Sequence, residues 1–96
     1  MALTIVANIE AKKNKIDFIK EELLKLIAAT KAEEGCIEYR LQQDNQNPEF
    51  FLFFEIWENR ELWQKHMDSE HLQNLIRVTE GSLVDLTVTE MNEIGS

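Results

Sequence analysis

FFLFFEIWENRELWQKH, residues 50–66, is the stretch that decides the fold. Residues 50–57 are apolar except Glu55, and because side chains along a strand point alternately to opposite faces, neither face of this strand is polar. A continuous apolar run of this length is typical of a strand buried on both faces. Asn59 follows, and its side-chain oxygen is suited to accept hydrogen bonds from the first free amides of a helix. The stretch therefore predicts a strand, a turn and a helix, with a cover needed on each face of the strand.

The chain before this stretch begins with a predicted strand and a predicted helix. Residues 2–11 carry β-branched side chains in near alternation, which indicates a strand. From Ile16 to about Glu33, apolar residues recur at the i, i+3, i+4, i+7 spacing of one helical face. Gly35 is expected to end this helix, because glycine adopts the left-handed conformation of a C-terminal cap without a Cβ clash.

A second strand is predicted over residues 36–43, where apolar and polar residues alternate. Its apolar face is expected to carry Ile37, Tyr39 and Leu41. Residues 44–49 are dense in turn-forming residues, so this strand and the strand in residues 50–57 should pair antiparallel through a hairpin loop.

After the Asn59 helix, the chain predicts one more helix and a last strand. Ser69 is a second candidate cap, and the helical face that follows consists of Leu72, Leu75, Ile76 and Thr79. Gly81 is expected to end this helix, and residues 83–91 alternate as a strand.

The predicted order is β-α-β-β-α-α-β, which is the plan of an α+β, ferredoxin-like fold: a four-stranded antiparallel sheet with helices on one face. We treat residues 1–96 as a single domain. Helices on one face leave Leu52, Phe54 and Ile56 uncovered on the other. The simplest cover is the same sheet of a second copy, so we expect a homodimer in which two sheets pack as an α+β barrel.

Composition excludes several classes of function. The formal net charge is −8, and residues 32–96 hold fourteen Asp and Glu against four Lys and Arg, so a nucleic-acid partner is not expected. No apolar segment approaches the length needed to cross a bilayer, and one cysteine, Cys36, cannot form an intrachain disulfide. A cytoplasmic location is expected, with no membrane partner. The sequence contains neither a CxxC pair nor a cluster of histidine ligands, so no metal site is predicted.

Three short motifs, in this strand order, carry a resemblance to a known family. They are Glu33-Glu34-Gly35-Cys36 with Tyr39 following, Glu55-Ile56-Trp57-Glu58-Asn59, and His66 with Ser69-Glu70-His71. In order and spacing they resemble the antibiotic biosynthesis monooxygenase family, and most closely its quinol-monooxygenase-like branch. Glu34 departs from the family pattern, which often has proline there.

The resemblance implies a dimeric α+β barrel with a pocket between the sheet and the helices of each subunit. It also implies a monooxygenase that needs no cofactor, since a deprotonated quinol or polyphenol can pass an electron to dioxygen directly. The expected partners are therefore a small aromatic substrate and dioxygen. Related members isomerise small signalling molecules or cleave haem, so the fold alone does not establish the reaction. Haem is disfavoured, because His66 and Ile76 occupy the positions of the haem-binding Trp and His.

His66 and His71 are the candidate catalytic residues. An imidazole with an ordinary pKa near 6.5 can accept a phenolic proton near neutral pH, and the helix face that carries Leu62 and Trp63 should look toward the sheet. The structural alternative for His66 is a buried histidine satisfied by a neighbour, and for His71 a contact that stabilises the next helix.

The candidate substrate-binding residues are mostly aromatic. Trp57 and Phe53 share strand parity with Glu55, so all three should line one face, with the aromatic rings able to stack on a flat substrate. The set is Trp57, Phe53, Tyr39, Glu55, Trp63 and Arg77. For the aromatic residues an ordinary core role is the alternative, for Arg77 a solvated helix position, and for the whole protein a dimeric binding function without turnover.

Overall fold

The computed structural model describes residues 2–95 and contains four strands and three α-helices, in the predicted order. A short 3₁₀ turn at Lys13–Lys15 precedes the first helix. The elements are β1 (Leu3–Ala11), α1 (Ile16–Lys31), β2 (Cys36–Gln43), β3 (Phe50–Trp57), α2 (Arg60–Met67), α3 (Glu70–Thr79) and β4 (Leu83–Met91). Within residues 2–95, none of the helices is both long enough and apolar enough to span a membrane.

The strands form one antiparallel sheet in the order β2-β3-β1-β4. This confirms the ferredoxin-like plan, with β1 and β3 at the centre. In the β1–β3 register, Ala7 lies opposite Phe53 and Ile9 opposite Phe51, so the inward residues of the two central strands face the same side and build one core.

The core lies between the sheet and the helices. On β3 it takes Phe51, Phe53, Glu55 and Trp57, each at most 4% exposed. The helix α1 contributes the predicted face, with Ile19, Leu23, Leu26 and Thr30 buried. The alternation of β3 is therefore the one that the sequence predicted, with Trp57, Phe53 and Glu55 on the helix-covered face.

The opposite face of β3 carries Leu52, Phe54 and Ile56, which are only partly buried. Their cross-strand neighbours on β2 are Gln42, Arg40 and Glu38. In the described part of the chain the helices pack on the other face, so no element of that part covers these apolar side chains.

The helix ends follow the predicted caps. The Asn59 side chain accepts a hydrogen bond from the backbone amide of Leu62 at 2.9 Å, and Ser69 accepts one from that of Leu72 at 3.3 Å. Gly35 has a φ of 86°, and a Cβ at this position would lie 2.8 Å from the Cβ of Leu62. Both the conformation and the close approach of α2 therefore require glycine.

The helix α1 ends at Lys31, two residues before the predicted end at Glu33. The amide of Glu33 instead bonds to the carbonyl of Thr30 at 3.0 Å, an i→i−3 contact that closes a tighter final turn. Glu33 thus lies beyond the helix, where its side chain reaches toward α2 and α3.

The predicted place of Ile37 was wrong. The pairing of β2 with β3 shifts register between Cys36 and Glu38, and a bulge of this kind takes one residue out of the alternation. Ile37 is therefore 54% exposed, whereas Tyr39, beyond the irregularity, is 3% exposed and faces the core as predicted.

Candidate functional site

A cavity of about 510 Å³ lies between the helix-covered face of the sheet and the helices. Its wall is mainly aliphatic and aromatic, and its polar residues are Tyr39, Glu55, His66, Thr79 and Glu80. A largely apolar cavity with a few polar groups is the usual form of a small-molecule site.

The mouth of the cavity lies between α3 and β4. Three apolar residues that line the cavity are also exposed to solvent. They are Ile76 on α3, which is 46% exposed, and Leu86 and Val88 on β4, which are 47% and 43% exposed. An apolar rim of this kind favours entry of a ligand with a large apolar surface.

His66 is the buried polar centre of the site. The cap at Asn59 sets the start of α2, so His66 lies near the end of this helix and faces the sheet. The His66 side chain is 2% exposed. Nδ1 of His66 lies 2.6 Å from Oε2 of Glu33. Because a carboxylate only accepts, the ring donates from Nδ1, and Nε2 of the neutral ring keeps its lone pair.

Burial favours the neutral form of His66. Burial lowers the pKa of His66, and this effect outweighs the contact with Glu33, which acts in the opposite direction. A neutral, oriented imidazole that lines an apolar cavity can act as a proton acceptor.

Glu33 was not among the predicted site residues, although it opens the first family motif. It is 33 residues from His66 in sequence and lies outside the helical periodicity of α1. The signal that could have identified Glu33 is its place as the first acidic residue of the Glu33-Glu34-Gly35-Cys36 motif.

Trp57 supports His66 and does not line the cavity. It is fully buried, its ring centroid lies 4.8 Å from that of His66, and its Nε1 donates to Oε1 of Glu55 at 2.9 Å. Trp57 and His66 therefore share a face, as predicted. The indole is not among the residues that line the cavity, so stacking of a ligand on it stays a prediction.

Glu55 lines the cavity and is 4% exposed. Burial raises the pKa of Glu55 to about 7, although the hydrogen bond from Trp57 acts in the opposite direction and the negative charge of Glu33 adds slightly to the rise. Glu55 therefore changes its charge near neutral pH.

His71 shares Glu33 with His66. Its Nε2 lies 2.8 Å from the same oxygen, Oε2, and its side chain is 30% exposed. His71 is not among the cavity-lining residues, and Glu33 links it to His66.

The other predicted binding residues divide into two groups. Phe53, Tyr39 and Trp63 line the cavity, and the Tyr39 and Phe53 rings stack with centroids 4.6 Å apart. Burial, and secondarily the charge of Glu55, raise the pKa of the Tyr39 hydroxyl, which stays protonated and can donate. Arg77 is exposed, donates to Asn74 and is not among the residues that line the cavity, so its role as a ligand contact stays a prediction.

Comparison with known proteins gives a related sequence and several related structures. An uncharacterized protein of Synechocystis is 31% identical over 78 residues, which are 77% of this chain and 50% of that protein, so the chain spans about half the length of this relative. A crystal structure from Pseudomonas aeruginosa is 28% identical, covers 98% of this chain and 95% of its own, and superposes with a TM-score of 0.94.

A crystal structure described as an antibiotic biosynthesis monooxygenase is also 28% identical, covers 97% of this chain and 99% of its own, and has a TM-score of 0.91. The sequence pattern of the family described as "Antibiotic biosynthesis monooxygenase" matches residues 2–78. That match includes both β3 and the Glu33–His66 pair. The chain belongs to the antibiotic biosynthesis monooxygenase family.

Proposed function

We propose that the protein is a cofactor-independent monooxygenase that oxidises a quinol or polyphenolic aromatic in the cavity between sheet and helices. The observation that supports this most directly is the hydrogen bond between Nδ1 of His66 and Glu33. It orients a buried, neutral imidazole so that Nε2 is left as a proton acceptor in a cavity large enough for an aromatic ring.

His66 would act first, by taking a hydroxyl proton from the bound quinol. The imidazolium that forms is stabilised by the adjacent carboxylate of Glu33, as a carboxylate stabilises histidine in other acid-base pairs. The resulting phenolate is electron-rich enough to reduce dioxygen directly. Overall, a hydroquinone and O₂ give a hydroxyquinone and water, so the substrate supplies the electrons and no further reductant is required.

The apolar wall would hold the ring. Phe53 and Trp63 supply flat surfaces, Tyr39 supplies a hydroxyl that donates, and the cavity of about 510 Å³ lies within the range of small-molecule sites. Exclusion of water strengthens the contact between His66 and Glu33 during proton transfer.

We further propose that the protein works as a homodimer through the uncovered sheet face. Leu52, Phe54 and Ile56 form an apolar row that a monomer would leave partly exposed, and apolar patches of this kind are usually covered. Two such faces packed around a two-fold axis would form a barrel with the helices and cavities outside.

Oxygen uptake with a panel of hydroquinones, measured against the uncatalysed rate, tests the activity. We expect uptake that His66→Ala reduces about 100-fold or more, because a positioned general base contributes about 10²–10⁴-fold. Glu33→Gln should lower the rate as well, and Glu34→Gln, which removes the same charge from an exposed neighbour, should leave it unchanged.

The alternatives on this fold predict different results. A dimeric binding protein would bind aromatic ligands tightly without oxygen uptake, and an isomerase would convert its substrate equally well without air. Either result, if no hydroquinone of the panel gives oxygen uptake above the uncatalysed rate, would contradict the monooxygenase proposal.

A further inference from the structure

One ring nitrogen from each of two histidines lies against Glu33, which is not among the residues that line the cavity. Nδ1 of His66 and Nε2 of His71 lie 2.6 and 2.8 Å from a single oxygen of Glu33. The donor atoms of the three residues all lie within 4.8 Å of one another. The rings come from α2 and α3, so two caps and a tight turn between the helices fix their relative positions.

We propose that Glu33, His66 and His71 bind a divalent transition-metal ion of the Zn²⁺ type. Two imidazole nitrogens and one carboxylate oxygen are a donor set that suits such ions, with water as a further ligand. Zn–N distances are about 2.0–2.1 Å, so an ion would lie close to the point that Oε2 now occupies, and the carboxylate would withdraw by about 2 Å to coordinate it.

The surroundings allow this exchange. Glu33 follows the end of α1, so no helical hydrogen bond of α1 has to break, and its side chain is 17% exposed. The His71 side chain is 30% exposed, which gives an ion a route from solvent that does not pass through the cavity. The net charge of −8 attracts cations to the protein.

Metal binding would change the tautomer of His66. In the hydrogen-bonded state Nδ1 carries the proton and Nε2 is the acceptor, whereas a metal on Nδ1 requires the proton on Nε2. For His71 likewise, a metal on Nε2 leaves the ring proton on Nδ1. A metal-bound His66 presents an N–H to the cavity and is no longer a base.

The site would therefore switch proton transfer off when Zn²⁺ is bound. Zn²⁺ binding does not depend on the proposed oxygenase function; only its effect on turnover rests on it. If no quinol is oxidised, the proposed function fails while metal binding can still be measured.

Competition of the protein with a chromophoric chelator for ZnCl₂ tests the site. We expect one Zn²⁺ per chain, with binding weakened by at least about 10–100-fold in Glu33→Gln and in His71→Asn, since loss of even an outer partner of a metal ligand costs that much. His71→Asn keeps a donor for Glu33 but removes the imidazole. Glu34→Gln is the matched control, with the same charge change at an exposed neighbour.

Nitrogen-15 NMR of the histidine rings gives a second reading on the unmodified protein. We expect Zn²⁺ to shift Nδ1 of His66 and Nε2 of His71 and to move the His66 proton to Nε2. Absence of binding at millimolar Zn²⁺, equal binding by Glu33→Gln and Glu34→Gln, or unchanged ring nitrogens would overturn the proposal.

Discussion

The two faces of β3 carry similar apolar side chains but lie in different surroundings. On one face, Phe53 and Trp57 are at most 3% exposed under the helices, together with the buried acid Glu55. On the other, Phe54 and Ile56 are partly buried, and no helix among residues 2–95 packs over them. The first face therefore carries the candidate site, whereas the second is the face of the proposed dimer contact.

The two faces also differ in the burial of their charged and polar side chains. Glu55 and His66 are buried on the helix-covered face, and each has a specific partner, Trp57 and Glu33. Buried polar groups persist when they are hydrogen-bonded. On the outer face, Arg40 and Glu38 pair with each other at 3.1 Å in a partly exposed position, as is common for surface ion pairs of little energetic value.

Substitution of neighbouring residues on opposite faces gives the largest contrast. Trp57→Ala should lower the free energy of unfolding by about 3–5 kcal/mol, because a fully buried indole is removed, and this loss should not depend on protein concentration. Ile56→Ala should cost less than about 2 kcal/mol in dilute protein, and more at concentrations where the dimer forms. Chemical denaturation at two protein concentrations measures both. Equal, concentration-independent losses would mean that the faces do not differ as described.

A charge on the outer face tests the dimer. Phe54→Glu should raise the dimer dissociation constant about 100-fold or more, close to 3 kcal/mol, because an unpaired carboxylate would be buried between the sheets. Light scattering should give a mass near 11.3 kDa for this variant and twice that for the parent. Val78→Glu makes the same change at an exposed site on α3 and should remain dimeric. A monomeric parent at micromolar concentration would contradict the proposed assembly.

The buried acid on the helix-covered face should make stability depend on pH. The pKa of Glu55 is about 7 in the folded state, against an ordinary value of 4.5. Between pH 4.5 and pH 7, Glu55 is therefore protonated in the folded state and ionised in the unfolded state. Stability should therefore fall as pH rises through this window, by about 2–3 kcal/mol. Glu55→Gln should remove this fall and be the more stable protein at pH 8, as measured by urea denaturation at pH 5 and pH 8.

The exposed residue Glu58 supplies the control, because Glu58→Gln removes the same charge without a change in burial. A parent protein whose stability is flat from pH 5 to pH 8 would show that Glu55 is ionised throughout.

The sequence predicted the elements because their patterns are strong. The apolar run of β3, the helical spacing of α1 and the caps at Asn59 and Ser69 each depend on local geometry that neighbouring residues specify. Ile37 was misplaced because a bulge depends on how two strands pair, and a one-residue shift reverses the face of a side chain.

The site was predicted less completely because it depends on contacts between distant residues. Strand parity placed Trp57 on the correct face but could not show that its indole packs against His66 and is not among the cavity-lining residues. Glu33 meets His66 and His71 across 33 and 38 residues, and helical spacing could not place a residue beyond the end of α1. Arg77 could not be placed relative to the cavity, because the charge of a helix residue does not show which way its side chain points.

The tautomer of His66 tests the central claim most directly. The hydrogen bond with Glu33 predicts that at pH 7.5, without metal, Nδ1 of His66 carries the proton and Nε2 is unprotonated, as ring nitrogen-15 NMR can read. In Glu33→Gln, whose amide can donate to the ring, this preference should weaken or reverse. A protonated Nε2 or a fully charged imidazolium in the unmodified protein would contradict the assignment of His66 as the base of the cavity.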